Sequence, residues 1–242
     1  FDAVRVVSPS PSARKITLLT GFPGSGLIGS IALQYLVETA GFTHLGNITS
    51  RFLPQISLAS NGIAQAPIRL YEKDQYVAVL ADVPIPPQVG YEISAGLLDW
   101  IQAQTKVDEL IILGGVATGE EGERVFGVST TTEGLKKLKD KTIILPALSI
   151  SGVSGSLIVE AQMRGIPATG LLVETNFNVD PRAAAAALDV LNAGYGFGVD
   201  TAALLAQAEQ VESVMHQLAN DVQEQEKNEQ KPLSGAEQMM YG

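Results

Sequence analysis

The chain of 242 residues contains no cysteine. Disulfide frameworks, thiolate metal sites and cysteine nucleophiles are therefore outside its chemistry. Histidine is almost as scarce: His44 falls near the start of a strand and His216 within a terminal helical pattern. Neither position implies a base oriented by a carboxylate. Basic residues are few, 16 against 26 acidic ones, for a formal charge of −10. The one basic cluster, Lys136, Lys137, Lys139 and Lys141, has Asp140 inside it. So small a positive surface argues against nucleic acid and against anionic membranes, and favours partners that offer basic groups. Long apolar runs are also missing; Leu110-Ile111-Ile112-Leu113 is strand-sized and far short of a membrane span. No secretory signal is visible from Phe1 onward, and the expectation is a soluble, cytoplasmic protein.

What is present is apolar material for a substantial core, 45% of the residues, in a length that suits one large domain or one domain with an appendage. Strands are predicted at Ile16–Thr20, Gln55–Leu58, Ile68–Tyr71, Tyr76–Ala81, Glu109–Leu113, Thr142–Leu145 and Ala168–Glu174. Asn61-Gly62 reads as a hairpin turn between the second and third of these. Helices are predicted over Leu27–Thr39, Glu92–Gln104, Thr132–Leu138, Leu157–Met163 and Arg182–Leu191, the last opened by Asp180-Pro181 in the cap-then-proline pattern. Val83-Pro84-Ile85-Pro86-Pro87 is a loop, since so many prolines fit neither a helix interior nor a central strand. Gly114-Gly115 reads as the opening of another loop, carrying Glu120, Glu121 and Glu123. Strands and helices alternate, which implies an α/β three-layer sandwich with a mostly parallel or mixed sheet between helices.

Three segments follow: an α/β core over 1–199, an amphipathic helix over 200–224 and a flexible tail over 225–242. Asp200 caps the helix, and Leu204, Ala208, Val211, Met215, Leu218 and Val222 form a heptad-like seam. That seam fits a short coiled coil or a helix lying on its own domain. Gln223–Gln238 is rich in Gln, Glu and Lys and contains Pro232 and Gly235, the composition of a tether. About 16 flexible residues span roughly 20–25 Å. At its end stand Met240, Tyr241 and Gly242: a hydrophobic residue, an aromatic anchor and a terminal residue whose carboxylate a receptor pocket can capture. The bland alternative is a frayed terminus.

Candidate chemistry within the core is limited. Gly24-Ser25-Gly26-Leu27-Ile28-Gly29 fits the G-x-G-x-x-G pattern between a strand and a helix, where backbone amides can hold a phosphate. A dinucleotide site also wants an acid about 20 positions on, and none lies between Glu38 and Glu72. The P-loop reading fails because Leu27 and Ile28 stand where Lys and Ser/Thr belong. The same glycines also serve a tight turn and close helix–sheet packing. Ser151-Gly152-Val153-Ser154-Gly155-Ser156 misses the nucleophile elbow by its final Ser. Glu120, Glu121 and Glu123 lack the alternating ligands of a calcium loop. Asp82, at a strand end, is the best single acid of the sheet and has no partner visible in the sequence. No cofactor and no metal site is expected.

Taken in order, Gly21–Gly29 with its following helix, Leu113–Gly119, Ser151–Gly155 and Gly165–Glu174 resemble the proteasome assembly chaperone 2 family in its archaeal-type branch, over about residues 16–220. The resemblance implies a fold akin to purine nucleoside phosphorylases without an established catalytic site, and self-association into homo-oligomers. It also implies, for some members, a C-terminal hydrophobic-tyrosine-any residue motif that docks between α-subunits of the core proteasome. Met240, Tyr241 and Gly242 match that motif position by position. The leading expectation is thus a non-enzymatic chaperone or adaptor of the core proteasome. The alternatives are a nucleotide- or phosphate-binding enzyme using Gly24, Ser25, Gly26 and Gly29, and a plain oligomeric scaffold built on the seam helix.

Overall fold

Successive residues of a strand point to opposite faces of its sheet, so a strand covered on both faces is apolar throughout. The central strands here show it. Leu18 and Leu19 are both fully buried but enter different hydrophobic clusters, as do Leu110 and Ile111, and Ile112 and Leu113. A computed structural model describes residues 4–208, apart from 54, 55, 61, 119–121, 177 and 207. The order is β1 (Val4–Val7), β2 (Lys15–Gly21), α1 (Ile28–Thr39), β3 (Thr43–Ser50), β4 (Leu58–Ser60), β5 (Ile63–Gln65), β6 (Ile68–Lys73), β7 (Tyr76–Ala81) and α2 (Gly90–Gln104). It continues through β8 (Lys106–Val116), β9 (Val125–Ser129), α3 (Thr132–Leu138), α4 (Gly152–Met163), β10 (Ala168–Glu174) and α5 (Pro181–Tyr195).

Eight strands form one sheet in the order β1-β3-β6-β7-β2-β8-β10-β9, and β4 pairs with β5 in a separate hairpin. β7, β2, β8 and β10 run parallel to their neighbours in the sheet centre, while β1, β3, β6 and β9 add antiparallel flanks. The sheet is therefore mixed, with a parallel centre. One face is covered by α2 and α4 through Ile93, Leu97, Ile101, Val153 and Leu157. The other is covered by α1 and α5 through Ile28, Leu33, Leu36, Ala184, Leu188 and Leu191. Asp180 caps α5 by accepting from the Ala183 amide at 2.9 Å, with Pro181 at the first helical position.

Three expectations need correction. Thr142–Leu145 is no strand: only Ile143 makes a parallel bridge, to Phe126, because the chain touches the edge of β9 and turns away. The strand expected at Gln55–Leu58 starts at Leu58 instead and pairs with β5 across the turn containing Gly62. Gly114 and Gly115 belong to β8, which runs on to Val116 because β10 pairs with it over its whole length. At the far end, residues 202–206 are helical and Leu204 is buried in the α1–α5 cluster. The seam positions Val211, Met215, Leu218 and Val222 lie outside the described residues.

Candidate functional site

In a sheet with a parallel centre, the loops leaving the carboxyl ends of adjacent strands converge on one side and frame a crevice. Here the turn Phe22–Ser25 after β2, the end of β8 at Gly114–Ala117 and the start of α4 at Ser149–Ser154 enclose a cleft of about 430 Å³. The glycine-rich motif lies on its rim, but its glycines do different work. A Cβ on Gly21 would stand 2.1 Å from the Gly29 carbonyl oxygen, and one on Gly29 would stand 2.3 Å from that of Leu113. Those two glycines let α1 press against β2 and β8. Gly26 takes φ +66° and would meet the Thr175 side chain, and Leu27 follows at φ +53°. Gly24 alone has open space where a Cβ would go.

The loop is braced from the next element. The Asp180 amide donates to the Gly26 carbonyl at 2.8 Å, and Thr175 Oγ1 donates to Asp180 Oδ2 at 2.6 Å. One aspartate thus ties the glycine turn to the cap of α5. The cleft itself presents hydroxyls of Ser25, Ser149, Ser151 and Ser154, and Ser151 precedes α4 without a side-chain cap. None of its described lining residues is acidic, basic or histidine. Its surface can accept or donate hydrogen bonds through these hydroxyls, and among its described lining residues none carries an ionisable side chain.

The charged groups at the sheet ends are paired. Glu174, fully buried at the end of β10, accepts from Arg124 Nε and Nη2 at 2.7 Å each, from the Arg124 amide at 3.1 Å and from Thr118 Oγ1 at 3.3 Å. The Arg124 guanidinium holds this carboxyl below the usual carboxylate range against the opposing effect of burial. Asp82 is bound by Arg69, a buried side chain that also reaches Tyr71 Oη at 2.9 Å and the Ala66 carbonyl at 3.0 Å. Burial pulls the Arg69 guanidinium down, but Asp82 and Tyr71 outweigh it and raise its pKa. Glu123 lies 3.6 Å from Arg182, while Glu120 and Glu121 are outside the described residues. Among the described residues no cluster of three acidic or histidine side chains is placed to hold a metal ion. His44 hydrogen-bonds Asn47 and meets Tyr71 edge-on, far in sequence from any cleft residue.

A family model described as the PAC2 family matches residues 18–219. The chain belongs to the PAC2 family. An uncharacterised protein of Methanocaldococcus jannaschii is 30% identical over 206 residues, 84% of each chain. Pyrococcus furiosus PbaA, described as an archaeal homologue of proteasome-assembly chaperone, superposes with a TM-score of 0.82 at 31% identity, covering 93% of this chain and 95% of that one. Pyrococcus furiosus PbaB, described as an archaeal proteasome activator, has a TM-score of 0.79 at 23% identity, covering 90% and 100%, and shares the fold.

Within this PAC2 chain, Gly24 and Ser25 line the cleft, whereas Gly26 packs against Thr175 and Gly29 against Leu113, away from it. Met240, Tyr241 and Gly242 lie outside the described residues. The Glu174–Arg124 and Arg69–Asp82 pairs escaped the sequence reading because each joins distant positions through strand pairing. Among the described residues no helix is long and apolar enough to cross a membrane.

Proposed function

We propose that the chain is a non-enzymatic assembly chaperone or adaptor of the core proteasome, and that it engages α-subunits through Met240, Tyr241 and Gly242. The observation that carries this reading is the match to PbaA along nearly the whole chain at 31% identity. The final three residues support it, since an aromatic anchor on a polar tether suits a pocket between subunits. Self-association belongs to the same reading. Two exposed apolar stretches, Ile143-Ile144-Leu145 and the Val159–Met163 side of α4, are surface available for it. Several tails on one assembly turn later contacts into intramolecular ones and raise avidity.

A second reading, a phosphate- or nucleotide-binding enzyme of phosphorylase-like fold, is favoured by one observation: the cleft places Gly24, Ser25 and the start of α4 at the carboxyl ends of parallel strands. Surface plasmon resonance with purified core proteasome separates the two. The intact chain binds, and a chain lacking Met240-Tyr241-Gly242 does not. Equal binding by both moves the contact to the folded surface. No binding by either, with ATP or inorganic phosphate perturbing the cleft in an NMR titration, favours the second reading.

A further inference from the structure

The opposite edge of the sheet carries a different kind of site. β1 is the last strand on its side and pairs with β3 alone. An antiparallel edge strand leaves alternate N–H and C=O groups facing outward, and among the described residues no strand takes them up. Alongside, between β1 and α2, runs a groove of about 690 Å³. Val4, Val6, Ala95 and Trp100 give it an apolar lining, and Tyr91 stands at it 62% exposed. Gly96 permits the approach of α2 to this strand, since a Cβ there would lie 2.7 Å from Val4 Cβ.

Among the described residues one group in the groove is left unsatisfied. Glu92 lines it, and its Oε2 is buried with no hydrogen-bond partner among the described residues. Glu92 sits in the first turn of α2, where the helix dipole favours a negative charge. Arg5 lines the same groove and leaves that oxygen without a donor. Asp99, further along, adds a second carboxylate, though Arg164 holds it at 2.6 Å. A buried carboxylate oxygen without a donor is unfavourable, and a cationic N–H satisfies it best.

We propose that this groove docks an extended segment of a partner protein that carries a lysine or arginine flanked by apolar residues. The segment adds to the outer edge of β1, lays apolar side chains along Val4, Val6 and Trp100, and donates from its cation to Glu92. The groove's own carboxylates, Glu92 and Asp99, make a cationic segment its complementary occupant. The site is separate from the tail and stands or falls independently of it.

Trp100 is the only tryptophan, so its emission reports on the groove directly. The probe is a pool of capped heptapeptides with lysine at the centre and valine, leucine, isoleucine or phenylalanine at alternate flanking positions; the control pool has glutamate at the centre. The lysine pool shifts Trp100 emission and perturbs the amide signals of residues 4–7. The glutamate pool binds at least about tenfold more weakly. Glu92→Gln keeps its melting temperature and loses about tenfold in affinity for the lysine pool. Equal response to both pools, no response to either, or an unchanged affinity in the Gln variant overturns the proposal. So does Trp100 emission that changes with protein concentration alone, which assigns the groove to a second copy.

Discussion

Gly115 lies directly against Ser25: a Cβ on Gly115 would stand 2.0 Å from the Ser25 carbonyl oxygen. Strand β8 and the turn after β2 are therefore in backbone contact at the cleft rim. Gly115→Ala must push that turn away, and destabilisation of about 1–3 kcal/mol is expected from overpacking. Gly24→Ala, one residue from Ser25 but facing open space, is expected to stay within about 0.5 kcal/mol of the parent. Chemical denaturation of the two variants checks the contrast.

Arg124→Met removes the guanidinium from the buried Glu174 and leaves it the Thr118 hydroxyl and the Arg124 backbone amide. Loss of a charged hydrogen-bonding partner is expected to cost about 2 kcal/mol at neutral pH. The sign with pH follows from the direction of the shift. The folded pKa of Glu174 is lowered, so the pair's stabilisation is full above the unfolded value of about 4.3 and is lost as pH falls toward the folded one. Melting temperatures measured from pH 6 to pH 3 are expected to fall more steeply for the parent than for Arg124→Met. Parallel curves would remove the pair from acid stability.

Asp82→Asn leaves Arg69, a 5% exposed side chain, without its counter-charge. Breaking one side of such a pair is expected to cost about 3 kcal/mol, and Arg69→Met combined with Asp82→Asn is expected to recover part of that loss. A double-mutant cycle in urea measures the coupling. Additive losses would mean that Asp82 contributes nothing through Arg69.

Tyr241→Ala is expected to weaken core-proteasome binding about thirtyfold or more, as for an aromatic anchor, with no change in melting temperature. Isothermal titration together with a thermal melt distinguishes this from loss of the fold.

Much of the core was open to reading because its signals are local. β2, β7, β8 and β10 are runs of buried Leu, Val and Ile, and Asp180-Pro181 announces α5 through its own cap. Of the flanking strands, β6 was legible at Ile68–Tyr71, while β1, β3 and β9 carry no such signal. β3 holds Thr43, His44, Asn47 and Thr49 among only two buried aliphatics, Leu45 and Ile48. β9 has Gly127 at its centre, a place where a Cβ would collide with Thr142, and β1 is four residues long. Their strand state comes from pairing with neighbours, which propensity does not record. The same holds for the site. The glycine motif was visible, but its division between packing at Gly29 and open space at Gly24 depends on where Leu113 lies. The partner of Asp82 sits across the β6–β7 ladder at Arg69.

The strand order has a consequence for biogenesis. β2 emerges second yet sits fifth in the sheet, between β7 and β8. It gains one neighbour only after the β3–β6 stretch has been made, and the other only after α2. A nascent chain that stalls before β8 therefore holds a central apolar strand with a bare edge. Emergence of β8, rather than of any earlier segment, is the point at which that edge is closed.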